Sequence, residues 1–97
     1  MKIGVLEVSI FIPYSCSLKT KRRIINSIKS KIKNKFNVSI AEDNLKDVWQ
    51  RSKMYIVGVN SSYSYLEEIF CSIEKFINAQ REFEVLDTSL KFYECKD

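Results

Sequence analysis

The chain has no histidine, two glycines, one proline and three cysteines among its 97 residues. Cys16, Cys71 and Cys95 are odd in number and show no C-x-x-C spacing. Without histidine they offer no zinc-ligand set and no disulfide framework, so neither metal nor cofactor is expected. Two glycines leave no Gly-rich phosphate loop, and neither H-E-x-x-H nor G-x-S-x-G occurs; the sequence shows no catalytic constellation. No apolar run reaches the length of a membrane span, and the start lacks a signal-peptide core with a cleavage site. The expected location is the reducing cytoplasm, with no membrane partner.

What is present is charge, unevenly placed. The net charge is +4, with 16 basic and 12 acidic side chains. Eight of the basic ones (Lys19, Lys21, Arg22, Arg23, Lys29, Lys31, Lys33 and Lys35) fall between residues 19 and 35, where no acidic residue occurs. Residues 37–97 hold seven basic and eleven acidic residues, a balance of −4. A molecule polarised in this way suits a nucleic acid, another polyanion or an oppositely charged protein surface.

The segment Ser17–Phe36 has helical spacing. Leu18, Ile25, Ile28, Ile32 and Phe36, with Ile24 beside them, form one apolar stripe, and Ser17 is a suitable N-cap. Projected around the helix, Lys19, Arg22, Lys29 and Lys33 follow one flank of the stripe and Lys31 and Lys35 the other. The like-charge pairs Lys19/Arg23, Lys29/Lys33 and Lys31/Lys35 each cost roughly 0.2–0.5 kcal/mol. Cations in the first turn oppose the helix dipole at roughly 0.3–1 kcal/mol each. A phosphate or carboxylate would reverse both signs. The competing reading is a merely solvated face in a lysine-rich protein.

Around this helix the pattern gives four strands and a second helix. Lys2–Ile12 alternates, with Leu6, Val8, Ile10 and Ile12 on one side and Glu7, Ser9 and Phe11 on the other, and Pro13 ends it. Val38–Glu42, about Lys53–Asn60 and Phe83–Tyr93 read as further strands, the last with Leu86, Leu90 and Phe92 facing one way. Caps at Ser61–Ser64 open a helix that runs to about Ala79, with Leu66, Ile69, Phe70, Ile73 and Ile77 as its stripe. The order β-α-β-β-α-β closes most economically as one α+β ferredoxin-like domain over residues 1–97, two helices covering one face of a four-stranded antiparallel sheet.

Three stretches carry a family resemblance. They are Ser17-Leu18-Lys19-x-Lys21-Arg22-Arg23, Phe36-Asn37-Val38-Ser39-Ile40-Ala41-Glu42 and Asp47-Val48-Trp49-Gln50-Arg51. Together, and in this order, they resemble the YlxP-like family of small bacterial proteins of unknown function. The resemblance implies the ferredoxin-like fold and a suggested link to translation; it implies no activity and no catalytic residue. Cys16, Tyr14 and Tyr55 stand where the family commonly has a basic residue, glycine and glycine.

The candidate phosphate contacts are Lys19, Lys21, Arg22 and Arg23, followed by Lys29 and Lys33. Arginine forks hold phosphate bidentately and lysines act as point charges. Arg51 is read first as a salt-bridge partner of Glu42 or Asp47 and second as an auxiliary contact. Trp49 is read as a core or subunit contact before a base-stacking one. Tyr55, within Lys53-Met54-Tyr55-Ile56-Val57, is only a faint echo of the stacking aromatics of RNA-recognition modules, whose glycine and second aromatic are missing here, and Glu7 on the first strand would repel phosphate. Cys16 lies among cations but lacks an activating base. The expected function is a non-catalytic RNA- or ribosome-associated binding domain. The alternative is a homodimer or larger scaffold whose Phe11/Tyr55 sheet face supplies apolar contact.

Overall fold

The computed structural model describes residues 1–13, 17–43 and 50–96. Its elements are β1 (Lys2–Phe11), α1 (Leu18–Lys35), β2 (Ser39–Asp43), β3 (Arg51–Asn60), α2 (Tyr63–Asn78) and β4 (Glu84–Glu94). The strands form one antiparallel sheet in the order β2-β3-β1-β4. Each helix thus joins two strands separated by a third, which is the ferredoxin-like α+β arrangement.

Alternation in β1 sends Leu6, Val8 and Ile10 into the core, with Ile12 just beyond its end, and each is fully buried. Ile24, Ile25, Ile28 and Ile32 of α1 and Leu66, Phe70, Ile73 and Ile77 of α2 cover them. Both helices therefore lie on one face, with α1 against β2 and α2 over β1, β3 and β4. Both are capped as serine caps should be: Ser17 accepts from the Thr20 N–H at 3.2 Å and Ser62 from the Tyr65 N–H at 3.3 Å. Gly4 and Gly58 face each other across β1 and β3. A Cβ on Gly4 would lie 2.3 Å from Phe70 Cε2, so the bare backbone at Gly4 is what lets that ring settle on the sheet.

Two details depart from the periodicity. In α1 the core position expected for Leu18 is taken by Lys21: Leu18 is 49% exposed and Lys21 only 4%. Lys21 precedes Ile25 by four residues and Ile28 by seven, so it lies on the stripe, and its alkyl stem fills the place of an apolar side chain. In β4 the pairing with β1 shifts between Ser9 and Ile10: Ser9 faces Asp87, but Ile10 faces Val85. Leu86 is the residue passed over, and it is 48% exposed. Val85 packs against the core in its stead, beside Leu90 and Phe92.

Candidate anion-binding surface

The positive charges of α1 do not form one uniform face. Lys21 points inward, and burial lowers its pKa; nearby Glu42 acts in the opposite direction and Arg22 reinforces the lowering. It is therefore not a surface contact, in contrast to the expectation from its place in the basic cluster. Arg23 reaches Glu82, in the connection between α2 and β4, at 3.2 Å. Lys29 lies 3.7 Å from Glu42 of β2. These two cations have partners within the fold, and the exposed Arg23 pair is of the kind that contributes little to stability.

The other five, Lys19, Arg22, Lys31, Lys33 and Lys35, are exposed. None of them makes an ion pair with an acidic group among the described residues. They divide into two sets. Lys19, Arg22 and Lys33 run along the outside of the helix, and the fourteen helical steps from Lys19 to Lys33 span about 21 Å. Lys31 and Lys35 instead border an open cleft of about 530 Å³, together with Asn34, Phe76 and Gln80. There the Lys35 ammonium stands 4.9 Å from the centre of the Phe76 ring, a cation–π distance. The first turn of α1 contains no acidic residue, so nothing of its own offsets the dipole there.

The sheet face opposite the helices has a different character. Tyr55 is half-buried there, between Ala41 of β2 and Glu7 of β1. Lys53 binds Glu7 at 2.5 Å. That bond holds the Glu7 carboxyl below the usual carboxylate range, with smaller help from Lys91 and the Tyr55 hydroxyl, and Glu7 in turn raises the Lys53 pKa. Phe11 faces Arg51 on β3, two rungs from Tyr55 on the same face. The Glu7–Lys53 pair belongs to the space between the two aromatics, so Phe11 and Tyr55 do not make one apolar patch. Exposed Arg51 has no bond to Glu42, whose described partner is Lys29. Cys16, Asp47 and Trp49, and with them any Arg51–Asp47 bridge, lie outside the described residues.

A family profile described as a protein of unknown function, DUF503, matches residues 3–90. The chain belongs to the DUF503 family. The uncharacterized protein YlxP of Bacillus subtilis (strain 168) is 35% identical over 91 residues, covering 94% of this chain and 99% of that protein. The YlxP-like resemblance carried by the three motifs is thereby borne out. A solved structure described as structural-genomics protein YJCS superposes with a TM-score of 0.60 at 9% identity, over 92% of this chain and 96% of that one. At that identity the likeness is one of fold alone.

In this DUF503 chain the first motif opens α1, the second joins the end of α1 to β2, and the third leads into β3. Lys31 and Lys35 were absent from the contacts expected from sequence, although they are the two lysines at the cleft. Their signals in the sequence are the like-charge i,i+4 spacing and the second flank of the stripe; Phe76 of α2 and Gln80 just beyond its end, which complete the cleft, lie some forty residues further on. Among the described residues no group of three or more acidic or cysteine side chains could hold a metal ion, and no helix is long and apolar enough to cross a membrane.

Proposed function

We propose that this protein is a non-catalytic, cytoplasmic RNA- or ribosome-binding domain that grips backbone phosphates with the exposed cations of α1. The supporting observation is the set of five exposed cations, Lys19, Arg22, Lys31, Lys33 and Lys35, that lack acidic partners among the described residues. Each is attracted to phosphate without first having to break an internal ion pair. Contacts of this kind position a nucleic acid but do not read its sequence, so the domain recognises charge and shape rather than a base motif. The Tyr55 face is the poorer surface for RNA, because Glu7 stands directly opposite Tyr55 on β1.

The test is fluorescence anisotropy with a labelled single-stranded RNA at low salt. Arg22→Glu combined with Lys33→Glu is expected to weaken binding by about tenfold or more. Lys21→Met, which removes a charge from the same helix at a buried position, is expected to leave binding nearly unchanged. An RNA affinity that is absent, or equal losses for the buried and exposed changes, would reject the assignment.

A further inference from the structure

Strand β4 is eleven residues long and lies at the margin of the sheet, with β1 on one side and, among the described residues, no strand on the other. A long open margin is a template for another strand unless something blunts it. Here the blunting is local. The bulge at Leu86 distorts only the start of β4, and no proline interrupts the strand.

Beyond the bulge the sequence is Asp87-Thr88-Ser89-Leu90-Lys91. Asp87, Ser89 and Lys91 share the open face of the sheet, opposite Ser9, Glu7 and Val5 of β1. Asp87 and Lys91 are exposed, and neither makes an ion pair with a described residue. From these features we infer that β4 pairs antiparallel with β4 of a second copy of this chain about a two-fold axis at Ser89, joining two sheets into one of eight strands.

The charges select both the partner and the register. With Ser89 opposite Ser89 of the second copy, each Asp87 faces a Lys91 across the axis, and the contact occurs twice. Opposite charges on directly facing residues stabilise a strand pair, and like charges destabilise it. A slide of two residues in either direction sets Asp87 or Lys91 against Ser89 and loses both attractions, and a slide of four sets Asp87 against Asp87 one way and Lys91 against Lys91 the other. The same register places Thr88 beside Leu90 on the helix-covered face and brings the exposed Leu86 opposite Phe92, whose ring already packs at a tilt against Tyr63, centroids 4.7 Å apart. The interface is isologous, as a closed dimer requires. Because α2 lies nearer β4 than α1 does, both basic helices would occupy the outer ends of one continuous face. The pairing itself does not depend on what those helices bind.

Sedimentation velocity and light scattering on the full chain test this by charge exchange at exposed positions. The wild type is expected at twice its 11.4 kDa mass at high micromolar concentration. Asp87→Lys and Lys91→Asp are each expected to raise the dimer Kd about tenfold or more, because each replaces two attractions with two repulsions. The double variant carrying both changes is expected to recover the wild-type Kd. Circular dichroism melts keep folding separate from association. A monomeric wild type, a dimer indifferent to the single changes, or single losses that the double variant fails to restore would each overturn the inference.

Discussion

Replacing Gly4 with alanine puts the packing of α2 on the sheet to a quantitative test. The added Cβ would sit 2.3 Å from Phe70 Cε2, 3.0 Å from Cδ2 and 3.1 Å from Cζ, well inside van der Waals contact. The ring has little room to retreat. Phe70 is fully buried and meets Phe92 edge-on at 6.4 Å. Overpacking of this kind costs about 1–3 kcal/mol. At 2 kcal/mol, a domain of this size should lose roughly 8–16 °C in Tm. Gly58, directly across from Gly4, is the matched control, since its added Cβ would find nothing nearer than Val38 Cγ1 at 3.4 Å. Gly58→Ala should be neutral or slightly stabilising, because it reduces the freedom of the unfolded chain. Combining Gly4→Ala with Phe70→Leu should cost less than the sum of the separate changes by about 1 kcal/mol, a coupling typical of touching residues. Thermal and urea melts followed by circular dichroism supply every number. Equal effects at Gly4 and Gly58, or additive losses in the double variant, would refute the packing described for Phe70.

Three more outcomes are expected. Burial depresses the pKa of Lys21, so the unfolded chain binds that proton more tightly and stability should climb as pH rises towards the unfolded lysine value of about 10.4; urea melts across that range should show the climb in the wild type and not in Lys21→Met, and equal slopes would contradict it. Ser52 is 2% exposed and its hydroxyl has no hydrogen-bond partner among the described residues, so Ser52→Ala should be neutral or raise stability by up to about 1 kcal/mol, whereas a clear loss in a thermal melt would mean that the hydroxyl is satisfied. Glu42→Gln should leave Lys29 without its acidic partner and increase RNA affinity modestly in anisotropy titrations; an unchanged affinity would show that Lys29 stands outside the binding surface.

How much of this was legible in the sequence depends on the range of the interaction. The element order followed from local periodicity, with Leu6, Val8 and Ile10 marking a two-residue repeat and Ile25, Ile28 and Ile32 a helical one. Ser17 could be assigned as a cap because that bond spans only three residues. Lys21 was misplaced for a different reason: its spacing put it on the buried stripe, but its charge argued for the surface, and the long alkyl stem allowed spacing to prevail. The bonds of Arg23 to Glu82 and Lys29 to Glu42 depend on where distant segments return to α1, which no local pattern encodes. The β4 bulge was hidden in the same way. Val85, Leu86, Leu90 and Phe92 are all apolar, and only pairing with β1 decides which of the first two faces inward.

Five cations of α1 have no acidic partner among the described residues, and the salt dependence of RNA binding tests most directly whether they serve an outside polyanion. If all five engage single-stranded RNA, the slope of log K against log salt should be about −3.5, and Arg22→Glu with Lys33→Glu should reduce its magnitude by at least about 1.4. A slope near zero, or one that the two charge reversals leave unaltered, would contradict the claim.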